Sequence, residues 1–423
     1  MGKIIATLLG LMTLLLGSGL WIGLGLIAIG AGLVTLFRPS MPGLKLLAQQ
    51  AYNVVVSPEL LALPLFILMA EILFRTKISE ALFTGLSPWL RRVLGCTLFA
   101  SVCGSSAATT ATVGRIAAKE LIDRGYNRDL VTGSLAGAGT LGFLIPPSTI
   151  MIIYGVMAET SILQLFIAGI VPGLLLAAAY MGYLATRAWL DPSVVGAAPP
   201  PTTFREKICA LRDLGPLLLL IGGVIGSMYG GIASPTEAAT VGVVVSMIIG
   251  FLQRTLTLQG VFTAARQAAE SCAMIGLIMI GAAFLSTVLG YLGVPRAIAE
   301  TIQGWGMSPL TLIFVLLVFY VLLGTVMEGL GIIVMTLPIT LPLAEAAGYD
   351  KIWFGIFLVI VVEMAQITPP VGFNLTVIQR LTGDSMARIT RATMPFFFIM
   401  AAFVMLIAIF PQIIGFLPQL LRG

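Results

Sequence analysis

Histidine is absent from this chain of 423 residues. Its absence removes the commonest metal ligand and the usual general base near neutral pH. Charge is scarce as well. Asp, Glu, Lys and Arg make up 10% of the residues, against about 25% in an ordinary soluble domain. No long polar stretch is available to hold a separate soluble domain. Cys96, Cys103, Cys209 and Cys272 are scattered, mostly in apolar runs, which argues for small packing residues and against a disulfide framework. Hydrophobic residues, by contrast, reach 58%, and Gly (47) and Pro (23) are plentiful, both better tolerated in membrane helices than in soluble ones. The net charge of +5 reports orientation in the bilayer, not affinity for nucleic acid, and no nucleic-acid partner is expected. The composition describes one integral membrane domain over 1–423, all-α and polytopic, surrounded by membrane lipid in the bacterial inner membrane. Met-Gly-Lys and the apolar run behind it resemble a signal peptide, but no A-x-A-like cleavage site follows, so the segment reads as a retained span.

Apolar runs of about 17–25 residues are candidate crossings. They fall at 4–18, 20–37, 54–74, 130–157, 162–187, 214–230, 236–253, 268–292, 353–379 and 394–414. Residues 4–37 are compatible with two short spans or one broken helix. Two further apolar regions, 93–122 and 309–344, carry small, polar or Gly-rich centres, Gly104–Thr110 and Gly324–Gly331. Such segments suit re-entrant hairpins. The parts recur in the same order: three spans, a hairpin, a span with a Pro-Pro pair and a closing span. Pro146-Pro147 and Pro369-Pro370 stand 223 residues apart, and Ser106 and Glu328 are separated by almost as much. Trp89 and Trp305 each end a short stretch before a hairpin. The expectation is two repeats. The first is 1–190, with hairpin 93–122 and broken helix 130–157; the second is 205–423, with hairpin 309–344 and broken helix 353–379.

With five crossings per half, the second half starts on the opposite side and the repeat is inverted. Arg75, Lys77, Arg91, Arg92, Arg115, Lys119, Arg124 and Arg128 flank the first hairpin, and the positive-inside rule puts them in the cytoplasm. Arg187, Arg205, Lys207, Arg212, Arg254, Arg266, Arg380, Arg388 and Arg391 then fall on the same side, 17 of the 23 basic residues in all. The ends of the second hairpin, near Ser308 and at 345–351, are basic-poor and fall outside. Residues 80–92 (Leu82, Phe83, Leu86, Trp89, Leu90) have the spacing of an interfacial helix on the cytoplasmic surface.

Inverted repeats with broken helices meeting at mid-membrane are the architecture of secondary transporters. A break exposes carbonyls that suit a hard cation such as Na+ and N-terminal amides that suit an anion. Pro removes a donor and stops the helix from closing over the gap. The expected partners in the first half are Gly104, Ser105, Ser106 and Thr109 facing Gly139, Thr140, Gly142 and Ser148. In the second half they are Gly324, Glu328 and Gly329 facing Thr368, Pro369, Gly372 and Asn374. Of these, Ser106, Thr109, Ser148, Glu328 and Asn374 are the expected substrate contacts; Ser106 and Glu328 also join the remaining residues as cation ligands. Acidic residues in apolar segments are costly and usually functional. Glu328 gives the strongest such signal. Glu363 lies mid-span, Glu71 near a span end where it can snorkel, and Glu237 after Ser-Pro-Thr, where it suits a helix cap.

Gly104–Thr110 (GSSAATT), Gly139–Ser148 (GTLGFLIPPS) with Tyr154-Gly155, Pro235–Ala239 (PTEAA) and Thr368–Leu375 (TPPVGFNL) resemble the large membrane subunit of tripartite ATP-independent periplasmic (TRAP) transporters over nearly the whole chain. The resemblance implies an elevator, in which a transport domain built around the two hairpins slides against a scaffold. It implies Na+-driven uptake of a small organic anion such as a sialic acid, C4-dicarboxylate, keto acid or sugar acid. The implied partners are a small four-helix membrane subunit, expected as a separate chain, and a soluble periplasmic substrate-binding protein. By resemblance, Ser105, Ser106, Gly139 and Gly142 belong to a first sodium site and Glu328, Gly329, Thr368 and Gly372 to a second. Many members carry Asp where this chain has Glu328, and the extra methylene changes the reach of the carboxylate. Two rivals stay open: a dicarboxylate/sodium symporter that works without a binding protein, and a channel. An enzyme is not expected.

The ten-crossing topology is tested with reporter fusions. A fusion after Gly423 is expected to be active in the periplasm and one near Pro200 in the cytoplasm; activity on one side from both overturns the topology.

Overall fold

The computed structural model describes residues 2–17, 19–76, 106–195, 215, 219–220, 222–304, 306–370 and 372–420. Among the described residues every regular element is helical. The chain opens with α1 (Gly2–Gly17) and α2 (Ile22–Phe37). Between them Gly19 turns the backbone at φ 76°, so residues 4–37 form two helices. α3 (Gly43–Val56) and α4 (Pro58–Phe74) meet at a bend of 55°. Pro58, which lacks an N–H, opens α4, and the crossing expected at 54–74 therefore begins four residues later. α5 (Ser106–Asp123), α6 (Arg128–Gly139), α7 (Thr149–Met157) and α8 (Ile162–Leu190) complete the first half.

The second half runs through α9 (Pro235–Leu252), α10 (Leu258–Tyr291), α11 (Val294–Gly304), α12 (Pro309–Gly324) and α13 (Gly329–Ala346). It ends with α14 (Lys351–Gln366), α15 (Phe373–Thr382), α16 (Met386–Ile409) and α17 (Gln412–Leu420). α10 starts ten residues before the expected crossing at 268–292. Its first turns are amphipathic, and the exposed Arg266–Glu270 pair keeps them in water. α16 is shifted toward the N-terminus of the expected 394–414: it starts at Met386 and stops before Pro411. The expected interfacial helix at 80–92, Trp89, Trp305 and the leading arm of the first hairpin with Gly104 and Ser105 lie outside the described residues.

Among the described residues, five helices are each long and apolar enough to cross a membrane: α8, α9, α10, α13 and α16. α6 has 12 residues, about 18 Å at about 1.5 Å per residue, well short of a hydrocarbon core about 30 Å thick. It can cross only together with α7, and α15 only together with α14. The order hairpin arm, broken helix, closing helix thus appears twice, as α5, α6–α7, α8 and as α13, α14–α15, α16.

Small residues set how closely these helices approach, as is usual where lipid offers no hydrophobic drive. A Cβ on Gly281 of α10 would lie 2.6 Å from the Gly23 carbonyl oxygen of α2, and one on Gly30 would lie 2.7 Å from the Phe284 ring. α6 is seated on α16 in the same way: a Cβ on Gly133 would meet the Ala392 carbonyl oxygen at 2.2 Å. At the basic side an ion-pair cluster fixes the register of the two halves. Arg128 Nε lies 2.9 Å from Asp384 Oδ2, and its Nη2 donates to the Thr382 carbonyl at 2.6 Å. Arg388 pairs with Asp129, and also lies 3.7 Å from Asp384. Glu71, expected to snorkel, pairs with Arg75 at 2.6 Å. Glu237 completes a capping box with Ser234, as its position before an apolar run suggested.

Gly281→Leu is expected to destabilise the protein by roughly 1–3 kcal/mol through overpacking at α2. Gly276→Leu is the control on the same helix, because a Cβ there meets nothing within 4 Å. Equal unfolding temperatures for the two variants would remove the Gly23–Gly281 contact as a determinant of the fold.

Candidate functional site

The first break follows from Gly137-Ala138-Gly139 and the two prolines. α6 stops at Gly139, a tight turn covers Thr140–Phe143, and helix resumes only at Thr149. Pro146 and Pro147 supply no N–H to restart the ladder. Ser148, fully buried, caps α7 by accepting from the Met151 N–H at 3.4 Å. The second break has the same ingredients: α14 stops at Gln366, and α15 restarts at Phe373 after Gly372. Both Pro-Pro bonds are cis. Thr368 donates to the Met364 carbonyl at 2.7 Å, continuing the turn into the break.

Each break is seated on glycine. Gly169 and Gly173 of α8 leave room for Leu144 and Ile145; a Cβ at Gly169 would lie 2.6 Å from the Leu144 carbonyl oxygen. At the second break, a Cβ on Gly324 would lie 2.1 Å from Ala365 Cβ, and one on Gly329 would lie 2.5 Å from Val362 and 2.9 Å from Gln366 Nε2. The second hairpin tip therefore packs on the end of α14, the residues just before the break.

The first hairpin arm reaches both breaks. Ser106, at the start of α5, is fully buried, and its Oγ accepts from Asn374 Nδ2 of α15 at 2.8 Å. Its carbonyl accepts from Thr110 Oγ1 at 2.9 Å. Gly139 fits against this pair, since a Cβ there would lie 1.9 Å from Thr110 Oγ1 and 3.1 Å from Asn374 Nδ2. The Ser106 hydroxyl also lies beside the Glu363 carboxylate, and Glu363 Oε1 accepts from the Phe143 N–H in the first break at 3.1 Å. Thr140 donates to the Gly137 carbonyl at 2.6 Å, so its oxygen accepts from the Tyr180 hydroxyl at 3.1 Å. At the other end of the broken helices, Tyr154 Oη donates to the Lys351 carbonyl at 2.6 Å, and Lys351 Nζ donates to the Ala158 carbonyl at 3.0 Å.

Several expected site residues thus converge: Ser106, Gly139, Thr140 and Asn374 around one buried centre, with Gly142 buried in the turn beside it. Gly324, Gly329, Thr368, Pro369 and Gly372 gather at the second break. Asn374 is corrected in its partner: expected to face the second hairpin, it bonds to the first. Glu328 occupies the N-cap position of α13 with an exposed side chain and no capping bond, so it lies apart from the buried centre. Thr109 sits on α5 in the same first turn as Ser106 and Thr110, but its side chain lies outside the described residues, as do Gly104 and Ser105. The sequence reading left Glu363, Thr110 and Tyr180 out of the site. Glu363 had a signal, an acid directly after Phe-Leu-Val-Ile-Val-Val in an apolar span, and Thr110 ended the hairpin motif Gly104–Thr110. Tyr180 in an apolar span had none.

A cleft of about 980 Å³ opens where α3, α9 and α10 meet α7, α8 and α13. Gln50, Asn53, Thr160, Ser286 and Thr287 give it polar walls, and Pro338 and Pro342 line one side. Its loops belong to the side that the basic-residue count places outside.

This arrangement of interrupted helices matches known proteins. Residues 9–413 match the family described as the tripartite ATP-independent periplasmic transporter, DctM component. The chain is 33% identical over 404 residues to the C4-dicarboxylate TRAP transporter large permease protein DctM of Pseudomonas aeruginosa, covering 92% of each chain. It is 28% identical to the sialic acid TRAP transporter large permease protein SiaM of Vibrio cholerae, covering 97% of each. The crystal structure of the Alcanivorax borkumensis YdaH transporter shares the fold, with a TM-score of 0.66 at 14% identity over 92% of this chain and 96% of that one. The chain belongs to the DctM family: it is a multi-pass inner-membrane large permease subunit of the TRAP type, a transporter component and not an enzyme.

Proposed function

We propose that this subunit carries a small carboxylate-bearing organic anion inward, driven by sodium, after delivery by a periplasmic binding protein. The observation that carries the reading is the convergence of the first hairpin and both helix breaks on one buried polar centre, Ser106, Phe143, Glu363 and Asn374. The centre fits a sodium ion: Glu363 Oε2 and Asn374 Oδ1 are buried acceptors without a hydrogen-bond partner, and the cradle at Gly139 has no space for a Cβ. Hard oxygen ligands of this kind suit a hard cation. In this reading Ser106, Gly139, Thr140 and Gly142, with Gly104 and Ser105, hold one ion, and Gly324, Glu328, Gly329, Thr368, Pro369 and Gly372 hold a second. A bound sodium supplies positive charge where the bilayer would otherwise surround bare oxygen atoms.

The chain's own part is to fix the hairpin ends so that donors stand ready for the anion. The N-terminus of α13, with Glu328 at its cap, and the α5 end near Thr109 supply amide donors; Ser148 and Asn374 border the two breaks. The relatives named for C4-dicarboxylate and sialic acid both take carboxylates, which favours the same class here. The outer cleft is the point of entry. The partners are the small four-helix membrane subunit and the binding protein, and the movement is an elevator in which the hairpins and broken helices slide along α2, α4, α9 and α10.

Uptake into proteoliposomes tests this. It is expected to need sodium, the small subunit and the binding protein. Ser106→Ala and Thr368→Ala, which remove one oxygen each, are each expected to raise the half-saturating sodium concentration about tenfold, equivalent to about 1.4 kcal/mol. Glu328→Gln is expected to shift it in the same direction. Uptake by the chain alone would favour a symporter that works without a binding protein, and unchanged sodium dependence in all three variants would remove the site assignment.

A further inference from the structure

Glu363 brings a carboxylate into the buried centre, and its charge has to be balanced there. Its side chain is fully buried, in the middle of α14. Among the described residues it takes part in no ion pair; the pairs formed there use other carboxylates. Oε1 is held by the Phe143 N–H at 3.1 Å. Oε2 has no hydrogen-bond partner. A buried carboxylate with one oxygen unpartnered and no cation beside it is among the costliest groups a fold can retain. Inside a bilayer such a residue is by default part of a site.

The surroundings say what would relieve it. The groups that approach are oxygen-rich: the Ser106 hydroxyl beside the carboxylate, and Asn374, whose Nδ2 is committed to Ser106 at 2.8 Å while its Oδ1 is unpartnered. Two buried acceptors lacking donors, linked through one hydroxyl, do not suit an anion. They suit a small cation with hard-ligand preference. We propose that the Glu363 carboxylate, through Oε2, is the charged ligand of the cation held between the first hairpin and the two breaks, with the Asn374 amide oxygen as a neutral ligand. The assignment rests on the sodium-coupled reading above. It gives the first site, whose other assigned ligands are neutral, a negative charge from α14, in the other half of the chain. Glu328, exposed at its hairpin tip, does not serve this ion.

The same geometry explains why the carboxylate stays fixed. Phe143 holds one oxygen through a backbone amide of the tight turn 140–143, so the turn at the first break orients the ligand.

The test uses the full chain in lipid nanodiscs, with its small subunit present, and reads sodium binding directly. Radiolabelled sodium is titrated against the wild type, Glu363→Gln and Glu363→Asp, and unfolding temperature is followed in sodium and in choline. Glu363→Gln keeps the shape and an acceptor for Phe143. It is expected to lose one sodium per protein, or to bind it at least tenfold more weakly. In choline it is expected to unfold at or above the wild-type temperature, because an unpaired buried charge has gone. Glu363→Asp is expected to retain that ion with reduced affinity. If the wild type itself binds no sodium, the sodium-coupled reading fails and this assignment with it. If the wild type binds sodium and Glu363→Gln binds the same number with the same affinity, only the assignment fails; the carboxyl is then held neutral or satisfied by water. Loss of the ion in both variants, with both unfolding early in choline, would also overturn it, by making Glu363 a packing residue.

Discussion

Everything in this fold depends on one constraint: a bilayer offers no water to a backbone amide, so a helix can be broken inside it only where the rest of the protein closes around the break. Phe143 shows how the constraint is met. Its N–H lies in the tight turn that ends α6, and a backbone group left bare there would cost several kcal/mol. Glu363 adds a carboxylate oxygen to that turn from the opposite half of the chain. Glycines do the remaining work by removing side chains where the irregular backbone must lie, at Gly169 and Gly173 for the first break and at Gly324 and Gly329 for the second. A break is therefore a joint property of three or four elements. That is why chemistry can be placed there without opening the protein to lipid.

The packing divides into two groups. α10 lies against α2, α3 and α4, and α9 packs on α4; α5, α6, α14, α15 and α16 pack on one another. The first half's α5 and α6 touch the second half's α15 and α16, and the Arg128–Asp384 pair locks the same joint at the basic side. Partly exposed pairs of this type contribute at most about 1 kcal/mol each, so the cluster sets register more than stability. The two groups meet along α4 and α7 and along α10 and α13, and the large cleft lies on that boundary.

The sequence was most legible where composition alone decides the outcome. The helical class, the long apolar helices and both Pro-Pro breaks could be read directly, because apolar length and the missing proline N–H act locally. Boundaries were less legible. α10 begins in water with Arg266 and Glu270 on an amphipathic turn, which a search for apolar runs cannot include. α4 begins late because Pro58 interrupts a run that is apolar on both sides. At the site, Ser106, Gly139 and Thr140 were legible as small residues at a break. The pairing of Ser106 with Asn374 was not, since symmetry favoured partners within one repeat and 268 residues separate the two. Glu363 was visible as an acid in an apolar run, yet Glu328 stood in a richer glycine motif. Burial reverses their order: Glu328 is exposed, and Glu363 is not.

That reversal bears on how two interruptions with similar sequences come to differ. Both have a Pro-Pro pair and a helix restart, but among the described residues only the helix leading into the second break carries a fully buried carboxylate, Glu363. Glu363 stands on the helix that leads into the second break, while its bound oxygen faces the first. Asn374, on the helix that leaves the second break, holds Ser106 of the first hairpin. The residues that frame one interruption thus hold polar groups of the other, and a displacement of α14 or α15 displaces both. The two breaks are mechanically joined through α14, Ser106 and Asn374, with no need for a longer chain of contacts between them.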